Sequence, residues 1–91
     1  MALHKTLCRC GEVLYAPLPD GEGVIMSVAE RRLFSLNAVG RRLWELLAAP
    51  KTLPELCAAI AGEFEVDAAT CEAEVTRFMS DIVNRGIARA S

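Results

Sequence analysis

The sequence changes its periodicity at Asn37, between an extended segment and a helical one. Residues Arg31–Leu36 contain no Gly or Pro and are typical of a short strand. From Val39 to Leu47, apolar residues recur at helical spacing. Because an Asn side chain accepts hydrogen bonds from the free N–H groups of a first helical turn, Asn37 is expected to cap this helix. The junction therefore predicts a small sheet that leads directly into a layer of helices.

The residues before this junction predict a three-stranded antiparallel sheet. Its strands are expected at Val13–Ala16, Val24–Val28 and Arg31–Leu36, with a turn rich in Pro and Gly between the first two. Short strands that follow one another closely favour a meander. Residues 1–11 show no firm period and are expected to be irregular or to form a further strand.

Three helices are expected after the junction, at Ala38–Ala48, Leu53–Phe64 and Ala68–Arg85. The second has the clearest start, because Thr52 and Glu55 have the spacing of a capping box.

The length of the chain limits its architecture to one small core. With 91 residues, we expect a single domain over residues 1–91, with the sheet in 12–36 and the helices in 37–86. The predicted fold class is α+β and winged-helix-like, with a three-stranded antiparallel sheet followed by a three-helix bundle.

The third helix has an apolar arc that is wider than packing on one core requires. At about 100° per residue, the arc spans about 140°, against roughly 100° for a helix that packs on one side. Its residues are Cys71, Val75, Phe78, Met79, Ile82 and Val83. Either both edges of the arc pack on the sheet and the second helix, or one edge is open to a partner.

The charge pattern argues against a nucleic-acid partner. The net charge is −2 and the pI is near 5.3, whereas nucleic-acid binders usually carry a basic face. Residues 31–51 are locally basic and residues 52–81 acidic, and the predicted helix Leu53–Phe64 contains no Arg or Lys. A recognition helix needs such side chains to contact phosphates and base edges. A winged-helix DNA-binding or regulatory domain is thus an alternative that the charges disfavour. The basic segment is either a solvated face or a contact for a charged partner.

No pattern typical of catalysis, metal binding or a bound cofactor occurs in the sequence. His4 is the single histidine and has no recognisable Cys or Asp partner, and no Gly-rich phosphate loop is present. The four cysteines lack zinc-site spacing and are expected to be reduced thiols. They are Cys8, Cys10, Cys57 and Cys71. We therefore expect a chain that is not an enzyme and holds no metal or cofactor. It has neither an export signal nor a membrane-spanning run, and is expected in the cytoplasm.

Four segments of the chain match a known family in order and spacing. They are Leu33–Ala38, Leu43–Leu47, Lys51–Leu56 and Val75–Ile87. Together they resemble the PqqD-like peptide chaperones, which are also called RiPP precursor peptide recognition elements. The resemblance implies that the chain binds the leader of a ribosomally made precursor peptide and presents it to a modifying enzyme, often a radical SAM enzyme. In this family the leader adds as a strand beside the third strand, in a groove closed by the third helix.

The expected binding site combines the edge of the third strand with the open edge of the third helix. An exposed edge strand offers unpaired N–H and C=O groups to an added strand. The candidate residues are Arg31, Arg32, Leu33, Phe34, Ser35, Leu36, Val75, Arg77, Phe78, Met79 and Ile82. The three arginines are expected to pair with acidic leader residues. A further possibility is that the same edge mediates homodimerisation, in which case the chain is mainly a dimeric structural or assembly module.

Overall fold

A computed structural model describes residues 6–90 of the chain. In chain order its elements are β1 (Thr6–Arg9), β2 (Val13–Pro17), β3 (Gly23–Ser27), β4 (Arg32–Leu36), α1 (Ala38–Leu46), β5 (Lys51–Thr52), α2 (Leu53–Glu63), α3 (Ala68–Asn84) and β6 (Ala88–Ala90). Residues 1–5, which include His4, lie outside the described part of the chain. The predicted α+β, winged-helix-like class is confirmed, since an antiparallel sheet precedes three helices.

β2, β3 and β4 form the predicted meander. They pair in the order β2-β3-β4, and both pairs are antiparallel. Tyr15, Ile25 and Phe34 lie opposite one another across the three strands, and Ile25 is fully buried. Arg31 precedes β4, because its φ is 55° and its N–H closes the turn on the Ser27 carbonyl at 2.8 Å. The predicted strand is therefore one residue too long at this end.

A second antiparallel sheet, of β5, β1 and β6, adds to the predicted architecture. β1 is the central strand, and its Cys8 lies opposite Arg89 of β6 while its Thr6 lies opposite Thr52 of β5. β5 has two residues and β6 has three, so neither is long enough to show an alternating pattern. Residues 1–11 were expected to be irregular or to form a further strand, and β1 is such a strand.

Each helix begins directly after the residue that the sequence predicts as its cap. The Asn37 side chain accepts a hydrogen bond from the Gly40 N–H at 2.8 Å. Thr52 and Glu55 form both bonds of the capping box, and the Asp67 side chain caps α3. These caps satisfy N–H groups that the helices leave unpaired, so they set where each helix starts.

The core lies between the inner face of the meander and the three helices. Its members include Ile25, Leu36, Leu43, Trp44, Leu56, Ile60, Val75, Met79 and Ile82, all buried. Leu7 brings β1 into the same cluster, so the second sheet closes the other end of the core. Among the described helices, none has the length and apolar character needed to cross a membrane.

Candidate functional site

A narrow cleft lies between β4 and α3, and we call it the β4–α3 cleft. Its volume is about 150 Å³. Its lining residues are Ile25, Phe34, Ser35, Leu36, Asn37, Gly40, Phe78, Asp81, Ile82, Arg85 and Ile87. Most of the lining is apolar, and its charged groups are Asp81 of α3 and Arg85, the residue that directly follows α3. Such a cleft suits an apolar side chain rather than a large polar ligand.

The long edge of β4 next to this cleft is not paired with any strand in the described residues. The hydrogen-bond pattern shows which β4 residues point their backbone groups outwards. The Val28 N–H bonds to the Glu12 carbonyl at 3.1 Å, in register with the β2–β3 pairs. Backbone groups alternate in direction along a strand. Because those of Val28 point towards β2, those of Ile25, three residues earlier, point towards β4. Phe34, opposite Ile25, therefore bonds inwards.

It follows that Leu33 and Ser35 direct their backbone groups to the open edge. Each offers one N–H and one C=O, so the edge presents four hydrogen-bonding groups beside the cleft. This arrangement is a template for an additional strand.

Arg85 and Asp81 form the polar rim of the cleft. The Arg85 guanidinium lies over the Phe34 ring, with 4.2 Å from Cζ to the ring centroid. Its Nε is 3.1 Å from both carboxylate oxygens of Asp81. The pair connects α3 to β4 across the cleft and neutralises both charges there. Neither residue was predicted from the sequence to belong to the site. Their spacing of four indicates an ion pair, but no local signal indicates contact with Phe34.

The predicted residues of β4 occupy three different environments. Phe34, Ser35 and Leu36 line the cleft. Leu33 lies on the outer face of the meander with 70% of its surface exposed. Arg32 is exposed at the start of β4 and makes no ion pair with another described residue, and the same holds for Arg31 in the preceding turn.

The predicted residues of α3 divide between the cleft and the core. Phe78 and Ile82 line the β4–α3 cleft. Val75 and Met79 have no exposed surface and pack inside the core, which leaves them no surface for a ligand. We therefore correct their expected role from groove wall to core. The two half-buried residues of the apolar arc of α3, Phe78 and Val83, lie at its opposite edges, and Phe78 is at the edge that faces the cleft.

A second, wider cleft lies on the other side of Phe78, between α1 and α3, and we call it the α1–α3 cleft. Its volume is about 320 Å³, and Asn37, Gly40, Phe78 and Asp81 line both clefts. Phe78 thus forms the partition between them. Arg77 contributes to this second cleft, with its side chain 79% exposed and 3.8 Å from the Glu74 carboxylate.

Two of the arginines in the basic segment form ion pairs within the fold. Arg41 Nε lies 3.1 Å from the Glu45 carboxylate, and Arg42 Nε lies 2.6 Å from that of Glu63. Glu45 also accepts a hydrogen bond from the Tyr15 hydroxyl at 2.9 Å. The Tyr15 hydroxyl and then the Arg41 guanidinium hold the pKa of the Glu45 carboxyl below its usual range. This network ties α1 to β2 and α2, and it leaves Arg31 and Arg32 as the free cations near β4 among the described residues.

Comparison of the sequence with models of known families identifies the family of this chain. The model of the family described as Coenzyme PQQ synthesis protein D (PqqD) matches residues 22–88. The chain belongs to the PqqD family. The match extends from the residue before β3 to the start of β6 and so includes both walls of the β4–α3 cleft. The resemblance predicted from the sequence is confirmed.

A solved structure supports the same assignment. The chain is similar to TbiB1, whose structure was determined in complex with the TbiA(beta) leader peptide. The two share 30% identity with a TM-score of 0.78, over 90% of this chain and 94% of that one. No curated protein matched the sequence significantly.

The cysteines of this PqqD family member form no metal centre in the part of the chain that is described. Residues 6–90 contain no group of three or more His, Cys, Asp or Glu side chains placed to hold an ion. Cys71 donates to the Cys57 carbonyl at 3.4 Å, and burial raises the pKa of the Cys57 thiol. Cys8 lies 3.4 Å from Arg89 Nε, across the β1–β6 pair. All four are free thiols.

Proposed function

We propose that this chain binds the leader of a ribosomally synthesised precursor peptide as an added strand and delivers it to a modifying enzyme of the radical SAM type. The observation that carries the proposal is the unpaired edge of β4 beside the β4–α3 cleft. Membership of the PqqD family and the similarity to a leader-peptide complex support it. In this proposal the chain is a binding partner of an enzyme and not itself a catalyst, and it acts in the cytoplasm.

The backbone of the leader pairs with Leu33 and Ser35. Four hydrogen bonds join the two strands, and each is worth about 0.5–1.5 kcal/mol net. These bonds give affinity without reading side chains, so they do not select one sequence over another.

Selectivity comes from the leader side chain that enters the cleft. Residues opposite each other in a sheet point to the same face, so the leader residue opposite Phe34 points towards α3. A cavity of about 150 Å³ accommodates a molecule the size of benzene. The cleft therefore takes one bulky apolar side chain, such as Leu or Phe, which contacts Phe78 and Ile82. The neighbouring leader residues alternate to the outer face, next to Leu33.

Charge orients the leader along the edge. Arg31 and Arg32 lie at the start of β4 or just before it, and Arg77 lies on α3, where it lines the α1–α3 cleft. Acidic leader residues near either group gain Coulomb energy that salt screens. The Asp81–Arg85 pair at the rim of the β4–α3 cleft is already neutralised and keeps the cleft itself suited to an uncharged side chain.

The test is an NMR titration of the ¹⁵N-labelled chain with the precursor peptide encoded by the adjacent reading frame. We expect amide shifts in β4 and in the part of α3 that lines the cleft, with the largest at Leu33 and Ser35. A scrambled peptide of the same composition is the control. Shifts confined to α2 would show that the peptide binds elsewhere.

The outer face of the meander favours a second candidate, self-association. Leu14, Met26 and Leu33 lie in one row across the three strands, and Leu14 and Leu33 are 60% and 70% exposed. A row of this kind beside an open edge permits two copies to pair through β4. Sedimentation with and without peptide distinguishes the two uses, because a β4-mediated dimer must dissociate when the peptide takes the edge.

A further inference from the structure

Gly40 lies where the side chain of any other residue would meet the Phe78 ring. A Cβ at this position would be 3.1 Å from Phe78 Cε1 and 3.5 Å from Cδ1. The first distance is shorter than ordinary van der Waals contact, so the ring would have to move by a few tenths of an ångström. The close approach of α1 to the ring therefore depends on the missing side chain.

The backbone of Gly40 does not itself require glycine. Its φ is not among the positive values, which occur at Gly11, Gly21 and Gly86. In a helix, glycine is less favourable than alanine by roughly 1 kcal/mol. In return, the missing side chain leaves space beside the Phe78 ring, which is the nearest group, and beside Asn37 Oδ1, which a Cβ would approach to 3.3 Å.

That space belongs to the two clefts. Gly40 and Phe78 both line the β4–α3 cleft and the α1–α3 cleft. A methyl group at residue 40 either occupies part of the cleft floor or moves the ring into one of the clefts. In a cleft of about 150 Å³, the loss of a methyl-sized volume changes which side chains fit.

We propose that Gly40 is the positioning residue that sets, through Phe78, the size of the side chain accepted by the β4–α3 cleft. The inference rests on the proposed peptide binding at this edge and adds a determinant of its selectivity. With glycine, the cleft accepts residues as large as Phe or Leu; with alanine, it accepts smaller ones such as Val or Ala.

A displayed library of random 12-residue peptides tests this directly. The wild-type chain and the variants Gly40→Ala and Gly62→Ala are each used for selection, and the retained peptides are sequenced. Gly62→Ala is the matched control, because Gly62 is also in a helix and no atom lies within 4 Å of the position that its Cβ would take. It gains the same helix propensity without touching either cleft.

We expect the wild type and Gly62→Ala to retain peptides with a large apolar residue at one position, and Gly40→Ala to retain smaller residues there. For a selected peptide and its Phe→Val version, the affinity ratio is expected to change about tenfold in Gly40→Ala. A general loss of stability would weaken both peptides equally and leave this ratio unchanged. An unaltered ratio in folded Gly40→Ala would overturn the role of Gly40 while peptide binding stands.

A second variant keeps the inference testable if Gly40→Ala folds poorly. Phe78→Leu removes the ring atoms nearest to residue 40, so the double variant Gly40→Ala/Phe78→Leu should recover the wild-type size preference. A double variant that still prefers small residues contradicts the role of Phe78. If the wild type itself retains no peptide, the proposed function fails, and this inference fails with it.

Discussion

Replacing Ser35 with proline tests the binding edge with little disturbance to the fold. The Ser35 N–H points away from β3, so proline removes a donor from the open edge and none from the β3–β4 ladder. Edge strands tolerate proline in this orientation, since its preferred φ remains extended. The structure therefore predicts a folded variant with a damaged binding edge.

The size of the effect follows from the groups that are lost. One of the four edge hydrogen bonds disappears, which costs about 0.5–1.5 kcal/mol. The pyrrolidine ring also projects into the gap of roughly 4.8 Å where the leader backbone would lie, which weakens the neighbouring bonds. A total of about 1–3 kcal/mol corresponds to affinity that is roughly 5- to 150-fold weaker.

Fluorescence anisotropy with a labelled, library-selected peptide measures this loss, and thermal melts followed by circular dichroism report the fold. Ser35→Ala is the matched control, because it shortens the side chain but keeps the N–H, and its affinity should stay close to that of the wild type. Phe34→Pro is the opposite control, since it removes a donor to Ile25 and should lower the melting temperature strongly. Wild-type affinity in a folded Ser35→Pro chain would refute the edge-strand mode.

Three other predictions concern charge, the core and pH. Changing Arg31 and Arg32 together to Gln should weaken binding of an acidic peptide up to about fivefold in low salt and flatten its dependence on NaCl, as anisotropy titrations can show; an unchanged salt slope would contradict the orienting role. Met79→Ala should lower the free energy of unfolding in urea by about 2–5 kcal/mol and leave peptide affinity of the folded fraction unchanged, because this side chain is fully buried. Since the folded-state pKa of Glu45 is lowered, its contribution to stability is present above about pH 4.5 and is lost as the pH falls through the lowered value. Tyr15→Phe removes the hydrogen bond that contributes most to the lowered pKa of Glu45. This variant should therefore lose less stability than the wild type between neutral and acidic pH. Parallel pH–stability curves of the two chains would argue against this coupling.

The meander and the helices could be predicted because their signals are local. Asn37, Thr52 and Asp67 each bond to a backbone N–H three residues ahead, so the information that starts each helix lies within one turn. The edge position of β4 was also predictable, because three successive strands in a meander leave the third strand at an edge.

The division of α3 between core and cleft could not be predicted from periodicity alone. Val75, Phe78 and Met79 all fall on one apolar arc, and only the position of α1 and the sheet decides which of them is covered. Val75 and Met79 point into the core, while Phe78 lies at the border of the two clefts. An arc gives the direction of burial to within a residue or so, which is too coarse to separate a wall residue from a core residue.

The sheet that the sequence analysis missed is also what holds one end of the cleft. Ile87 lines the cleft just after α3, and its carbonyl accepts a hydrogen bond from the Cys10 N–H at 3.0 Å. The next residues form β6, which pairs with β1, so the C-terminal end of α3 is tied to a strand near the start of the chain. Gly86, with its φ of 78°, allows the chain to leave the helix and enter this sheet. The distance between α3 and β4 therefore depends on pairing between residues about eighty positions apart, and no local pattern could reveal it.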